Sequence, residues 1–157
     1  AHPLWRMQGV EIGKSVTDDS VDVTHVLEYP NIMLPGDVIT DSHKEKNFEE
    51  IDAEEMIMDL GPATIENLSE ILRQARVILW NGPVGNYIEG YSQGTLQLAE
   101  AIAQSGAISI VGGGDTVAVL YGQDVLSKFT FVSTAGGAML DFLVNGTLPG
   151  IEVLRSD

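Results

Sequence analysis

Three short apolar runs, each ending in glycine, constrain the fold of this chain most strongly. They are "RVILWNG" (76–82), "AISIVGGG" (107–114) and "FTFVSTAGG" (129–137). Runs that are continuously apolar, rather than alternating, are typical of strands covered on both faces, as in a parallel sheet. A fourth run, "NIMLPGDVI" (31–39), is interrupted by a Pro-Gly pair, which indicates a strand end or a bulge.

Helical repeats lie between these runs. The segments "TIENLSEILRQA" (64–75) and "TLQLAEAIAQ" (95–104) each carry one apolar stripe, and shorter helices are predicted from Asp115 and from Ala138. The acidic stretch "DSHKEKNFEEIDAEE" (41–55) is predicted to be an exposed excursion. Strands that alternate with helices predict an α/β sandwich around a mainly parallel sheet.

Charge and composition narrow the classes of partner. The 157 residues are one domain's worth of chain, with a net charge of −15 and eight scattered Lys and Arg residues. Because no basic patch could neutralise a row of phosphates, we expect neither a nucleic acid nor an anionic membrane as a partner. No apolar run approaches the ~20 residues of a membrane helix. The absence of cysteine and of a signal-peptide pattern favours a cytoplasmic protein.

Three glycine-containing loops follow the predicted strands: "WNGPVGN" (80–86), "GGGDT" (112–116) and "STAGGA" (133–138). In an open parallel sheet, ligands bind beyond the carboxyl ends of the strands. One such loop is equally well explained as a tight turn, but three at the same edge favour a phosphate or nucleotide site. Neither the P-loop nor the dinucleotide-binding glycine pattern is present.

The acidic and polar residues of these loops leave two interpretations open. Asp115 and Thr116 stand at the start of a predicted helix, where they could simply cap it. The same position would also suit a carboxylate for Mg²⁺ beside bound phosphates. The three histidines lack metal-ligand spacing. Ser133 has no G-x-S-x-G around it, so we reject a hydrolase triad.

Taken together, the motifs resemble a known family. "LWNGPVG", "GAISIVGGGDT" and "FVSTAGGAMLDFLVNGTLPGIEVL" resemble the C-terminal domain of phosphoglycerate kinase in the same order and at similar spacing. "QGVEIGKS" and "MIMDLGPATI" upstream also match. The resemblance implies a three-layer, Rossmann-like α/β sandwich, incomplete relative to the family's domain. Residues 1–157 would then be one partial nucleotide-binding domain, without the N-terminal phosphoglycerate-binding domain.

The resemblance also implies an activity and a set of site residues. The family transfers a phosphoryl group between 1,3-bisphosphoglycerate and ADP, with Mg²⁺, when a hinge closes its two domains. Gly136 and Gly137 would offer backbone amides to the transferring phosphoryl group. Asp115 would also lie near Mg²⁺. The residues that would bind the nucleotide are Gly112, Gly113, Gly114, Asp115, Thr116, Asn81, Pro83, Ile57, Met58 and Glu89.

The chain also departs from the family's pattern. Ile88 stands where the family has the acid that binds the ribose, and Glu89 follows one position later. Ala135 replaces the first of three glycines in the last loop, which matters only if that position needs a positive φ. The family's catalytic arginine and basic phosphoglycerate site have no counterpart here, so we expect the isolated chain to be inactive.

Three functional hypotheses follow. The first is a portion of a phosphoglycerate kinase that binds ADP or ATP with Mg²⁺ and needs the missing N-terminal domain for turnover. The second is a non-catalytic binding or interaction module of the same fold. An unrelated, complete nucleotide-binding enzyme is a weak third, because no general base or cation cluster is visible. Because the family's opening strands are missing, we also expect an uncovered sheet edge or apolar face, covered by a homodimer or by a rearranged edge.

Overall fold

The structure, a computed structural model, describes residues 2–18 and 22–155. The strands are β1 (Asp37–Thr40), β2 (Glu45–Asn47), β3 (Ile57–Leu60), β4 (Val77–Asn81), β5 (Ile108–Gly112) and β6 (Phe131–Ser133). The α-helices are α1 (His2–Met7), α2 (Pro62–Gln74), α3 (Gln93–Gln104), α4 (Gly114–Leu120), α5 (Gly136–Asn145) and α6 (Pro149–Arg155). Short 3₁₀ helices cover Thr24–Glu28, Phe48–Glu50, Tyr87–Glu89 and Asp124–Lys128. None of the helices in these ranges is both long and apolar enough to cross a bilayer.

The chain forms two compact units. The first consists of Ala1–Leu68 with Val84–Gly94, and the second of Ser69–Pro83 with Thr95–Asp157. Helices α2 and α3 each begin in the first unit and end in the second. The first unit contains an antiparallel sheet and the second a parallel sheet, so the expected α/β class with a parallel sheet is confirmed.

The first unit is built on a three-stranded sheet of order β2-β1-β3, antiparallel throughout. Its core contains Trp5, Ile12, Val38 and Ile51, all at most 6% exposed. The prediction of an exposed excursion over 41–55 is wrong in part, because β2 pairs with β1 here and Ile51 is buried. The strand expected within 31–39 occupies only its end and runs antiparallel to both neighbours.

Helix α2 is fixed at its start by a buried carboxylate of β1. Asp37, 4% exposed, accepts hydrogen bonds from the amides of Ala63 (2.9 Å) and Thr64 (2.7 Å) and from the Thr64 hydroxyl. These amides belong to the first turn of α2, whose N–H groups have no partner within the helix. The acceptor is thus supplied from 26 and 27 residues earlier in the chain.

The second unit is built on a parallel sheet of order β4-β5-β6. The three predicted strands in this part of the sequence are therefore confirmed, and so are α2 to α5, which start one or two residues before their predicted positions. The chain crosses from β4 to β5 through α3 and from β5 to β6 through α4, moving in the same direction along the sheet. Because such connections are right-handed, α3 and α4 lie on the same face of the sheet. The buried core of this unit includes Ile78, Trp80, Leu98, Ala99, Ile102, Val111 and Leu120.

The other face of the parallel sheet is apolar and open. Burial alternates along β4, where Ile78 and Trp80 are 7% exposed but Val77 and Leu79 are 60% and 45% exposed. Ile108 at the start of β5 is likewise 55% exposed. The continuous apolar runs were expected to be covered on both faces, but within residues 2–18 and 22–155 the side chains facing α3 and α4 are buried while those on the other face are largely exposed. The expectation of an uncovered apolar face is confirmed.

Candidate functional site

Three loops begin side by side at the carboxyl edge of the parallel sheet in the second unit. Asn81, the last residue of β4, is the register partner of Gly112 at the end of β5. Gly112 in turn pairs with Ser133 at the end of β6. Since the strands are parallel and end in register, the loops that follow them emerge at one place, as expected for ligand binding in this architecture.

The loops after β5 and β6 pack against each other so closely that only glycine fits. A Cβ on Gly136 would lie 2.6 Å from Gly113 Cα and 2.8 Å from Asn81 Oδ1. A Cβ on Gly113 would lie 2.6 Å from the same amide oxygen, and Gly113 also has a φ of +98°, which favours glycine. The Asn81 side chain therefore lies at the junction of both glycine loops.

A hydrogen bond joins the loop after β4 to helix α4. The amide of Gly82 donates to the hydroxyl oxygen of Thr116 at 2.9 Å. Thr116 is completely buried, and through this hydrogen bond it connects the loop after β4 to the start of α4. Gly82 has a φ of +100°, and its carbonyl accepts a hydrogen bond from the Trp80 indole at 2.8 Å. The sequence motifs did not single out Gly82, although the Asn-Gly dipeptide could have indicated it.

The start of α5 presents backbone amides without a side-chain cap. Its N-cap residue, Ala135, has a φ of −113° and supplies no capping acceptor. Because this φ is ordinary for an L-residue, alanine replaces the family's first glycine without strain. Gly137, the second residue of the helix, has open space where a Cβ would be. The amides of the first helical turn and the positive end of the helix dipole suit an anion.

Asp115 lies in the first turn of α4 and is exposed. In the part of the chain that the structure describes, no three His, Cys, Asp or Glu residues are grouped to bind a metal. Mg²⁺, however, is commonly held by one or two carboxylates together with substrate phosphates. A single exposed carboxylate beside the glycine loops therefore fits a nucleotide-bound Mg²⁺ and does not fit a metal site made of protein ligands alone.

The remaining predicted site residues have diverse surroundings. Pro83 follows Gly82 in the second unit and is half-buried. Ile57 and Met58 lie on β3 in the first unit, where Ile57 is half-buried and Met58 is 3% exposed. Glu89 is exposed in the first unit, in the 3₁₀ helix Tyr87–Glu89, and the preceding Ile88 is 81% exposed.

A buried carboxylate that the motifs did not reveal holds the loop carrying Glu89. Asp59 at β3 is 4% exposed and accepts hydrogen bonds from the amides of Gly94 and Leu60, each at 2.9 Å. A Cβ on Gly85 would lie 2.5 Å from the Asp59 Cγ, so both ends of the 85–94 loop lie against this carboxylate. Burial raises the pKa of Asp59, although the two amide hydrogen bonds oppose that shift.

Comparison with protein families decides what these loops belong to. A family model described as phosphoglycerate kinase matches residues 1–146. The chain belongs to the phosphoglycerate kinase family. The resemblance predicted from the glycine loops is therefore confirmed, and membership accounts for three glycine loops at one edge of a parallel sheet.

Curated relatives and solved structures agree with this membership. The chain is 39% identical to the phosphoglycerate kinase of Koribacter versatilis and 35% identical to that of Francisella philomiragia, in each case over 99% of its own length. It is similar to the structure of phosphoglycerate kinase from Coxiella burnetii, with a TM-score of 0.87 and 38% identity over 98% of this chain. For the Pyrococcus horikoshii enzyme the TM-score is 0.78, with 31% identity over the same share of this chain.

The chain spans 43% of the length of the Koribacter and Francisella relatives, and 43% and 42% of the two solved chains. It is thus consistent with a phosphoglycerate kinase fragment, the C-terminal domain.

Proposed function

We propose that this chain supplies the nucleotide-phosphate loops of a phosphoglycerate kinase. The reaction is phosphoryl transfer between 1,3-bisphosphoglycerate and ADP, giving 3-phosphoglycerate and ATP. The observation that carries the proposal is the convergence of Asn81, Gly113 and Gly136 at the carboxyl edge of one parallel sheet. Close packing without side chains brings backbone N–H groups to a surface where an anionic ligand can approach the main chain.

The phosphate groups would lie at the start of α5. Gly136 and Gly137 are the first two residues of this ten-residue helix, and no side chain caps it. Their amides would stabilise negative charge on the transferring phosphoryl group. Mg²⁺, which bridges phosphate oxygens and neutralises their charge in such reactions, would be held by Asp115 and the phosphates. Thr116 would position the loops through its hydrogen bond with Gly82.

The base and the sugar of the nucleotide would be contacted by residues that follow the family's pattern. Ile57 would contribute to the apolar adenine slot, whereas Met58, being buried, would support it from beneath. Pro83 would line the ribose side, and Glu89 is the acid nearest in sequence to the family's ribose-binding position. Glu89 is exposed, so a sugar hydroxyl could reach its carboxylate.

Turnover would require protein that this chain does not supply. The loops 80–86, 112–116 and 133–138 contain no Lys or Arg. Cationic stabilisation of the transition state can contribute on the order of 10³–10⁵ in the rate of phosphoryl transfer. We therefore expect no turnover by the isolated chain, and propose a phosphoglycerate-binding domain of the kind found in full-length family members as its partner in catalysis.

Titration calorimetry with ADP, with and without Mg²⁺, tests the nucleotide site. We expect saturable binding that weakens when Mg²⁺ is omitted, and that Asp115→Asn makes less dependent on Mg²⁺. Gly136→Ala should abolish binding because its Cβ would displace Gly113. Gly150→Ala is the matched control, because Gly150 lies in α6, outside the three loops, and a Cβ there meets no atom, so binding should persist. Absence of heat at millimolar ADP, with a normal circular dichroism spectrum, would overturn the proposal.

One observation favours the second candidate function, a non-catalytic binding module of the same fold. Ile88, at the family's ribose-acid position, projects an apolar side chain that is 81% exposed. To separate the candidates, the chain is mixed with the separately produced N-terminal domain of a relative and assayed for ATP formation. Turnover supports the kinase portion. Nucleotide binding without any turnover, in a mixture shown to form a complex, supports the binding module.

A further inference from the structure

The loop that carries Glu89 is attached to strand β3 at both of its ends. Near its start, the amide of Asn86 donates a hydrogen bond to the carbonyl of Met58 at 2.8 Å. At its end, the amide of Gly94 donates to the buried carboxylate of Asp59 at 2.9 Å. These two attachments leave the orientation of the segment between them, which includes Glu89, to other contacts.

Tyr91, two residues after Glu89, makes such a contact with the turn between β1 and β2. Its hydroxyl donates to the carbonyl of Asp41 at 3.0 Å. Its ring stacks on the imidazole of His43, with centroids 4.8 Å apart and 15° between the planes, and the hydroxyl oxygen lies 3.3 Å from His43 Nε2. The Tyr91 amide donates to the carbonyl of Asn86 at 3.1 Å, which joins this contact to the start of the loop. We call Tyr91, His43 and the Asp41 carbonyl the aromatic clasp.

The backbone of His43 gives an independent reason to examine the aromatic clasp. Its φ is +57°, in the left-handed region, where every other positive φ in the part of the chain that the structure describes belongs to glycine. A residue with a Cβ is less favourable there than glycine. Such positions persist where surrounding contacts compensate for them, and they cluster at functional sites. Stacking on Tyr91 is a contact that glycine at this turn would not supply.

We propose that the aromatic clasp orients Glu89 toward the sugar of the bound nucleotide, so that Tyr91 and His43 are positioning residues for recognition of the ribose hydroxyls. This inference rests on the proposed function. The whole arrangement lies within the first unit. Because the loop is held at Asn86 and again at Tyr91, the exposed Glu89 loses less conformational freedom on binding than it would on an unattached loop. Contacts to the phosphates do not depend on this effect.

Hydrogen exchange with mass spectrometry tests the aromatic clasp without any nucleotide. Tyr91→Phe removes the hydroxyl hydrogen bond but keeps the ring, and His43→Gly removes the stack while relieving the positive φ. We expect the amides of residues 85–93 to exchange about threefold faster or more in each variant. Because Tyr91 is only half-buried and His43 is exposed, both variants should fold, which circular dichroism checks. Unchanged exchange would show that the clasp does not hold the loop, and it overturns the inference.

Titration calorimetry with ADP and with 2′,3′-dideoxy-ADP, both with Mg²⁺, tests recognition of the sugar. We expect the parent chain to bind ADP at least about fivefold more tightly, because hydrogen bonds to a charged group are among the stronger ones. Tyr91→Phe, His43→Gly and Glu89→Ala should each bring this ratio toward one by weakening the binding of ADP. Their affinity for the dideoxy nucleotide should stay at the parent value, which a general loss of structure would not allow.

Tyr29→Phe is the matched control for Tyr91→Phe. Tyr29 is 63% exposed and lies in the first unit, outside the aromatic clasp, so both the exchange and the affinity ratio should match the parent. If the clasp variants keep the preference for ADP, the inference is overturned and the proposed function stands. Equal binding of the two nucleotides by the parent also overturns it, because Glu89 then makes no contact with the sugar. A parent that binds neither nucleotide overturns the proposed function itself, and the sugar role of the clasp with it.

Discussion

Asp59 and Glu55 are carboxylates whose surroundings shift their pKa values in opposite directions. Burial raises the pKa of Asp59 above its ordinary value of 3.8. Hydrogen bonding to Lys46, at 2.6 Å, is the main reason that the pKa of Glu55 is lowered from 4.5, helped by the amide of Asp52. Asp59 is therefore more protonated in the folded chain than in the unfolded chain at mildly acidic pH, and Glu55 is less protonated.

This difference predicts opposite pH dependences for two conservative variants. The free energy of unfolding of the parent, relative to Asp59→Asn, should fall as the pH rises from about 3.8 through the raised pKa, because ionising the buried carboxyl is unfavourable. Relative to Glu55→Gln, it should rise as the pH increases toward 4.5 and remain constant above it. Urea denaturation at several pH values between 3 and 7 measures both differences. Parallel curves for the two variants would contradict the assigned environments.

At the scale of elements, helix α2 depends on a contact between β1 and its first turn. Replacing Asp37 by alanine leaves the amides of Ala63 and Thr64 without their acceptor. Removal of a cap typically costs about 0.5–2 kcal/mol, and buried unsatisfied donors cost about 1–3 kcal/mol. We expect the free energy of unfolding to fall by about 2–3 kcal/mol, measured by urea denaturation.

Asp141→Ala is the control for this variant, because the Asp141 side chain is exposed on α5. Its effect should stay within about 0.5 kcal/mol. If Asp37→Ala is equally mild, the buried carboxylate contributes little to fixing α2. Asp37→Asn should lie between the two, since its amide keeps one acceptor oxygen but loses the charge.

At the scale of the whole molecule, the acidic excess opposes folding. A net charge of −15 on 157 residues makes the folded chain repel itself. Raising the salt concentration from about 0.01 to 0.15 M shortens the screening length from roughly 30 to 8 Å. We expect the melting temperature to increase by a few degrees over this range, measured by differential scanning calorimetry.

The control for this experiment is the pH. Near the isoelectric point of about 4.3 the net charge vanishes, and the dependence on salt should vanish with it. A rise in melting temperature that is as large at that pH as at pH 7 would show that ion-specific effects, rather than screening of repulsion, stabilise the chain.

The sequence by itself determined the strands and glycine loops of the second unit, together with helices α2 to α5. Short apolar runs predict β4, β5 and β6, and apolar helical stripes predict α2 and α3, because both patterns are local signals. The glycine loops were found for the same reason, because a strand end followed by glycine is local. The resemblance to phosphoglycerate kinase rested on these loops, and the family match confirms it.

The tertiary structure alone decided which residues meet. The three-residue strand β2 and the burial of Ile51 depend on pairing with β1 and on a core contributed by distant segments, so residues 41–55 appeared merely charged. The roles of Asp37 and Asp59 arise from contacts 26 to 35 residues apart. Likewise, Gly136 requires glycine and Gly137 does not, because only Gly136 lies against Gly113. Such distinctions follow from packing across the fold, which local sequence patterns do not contain.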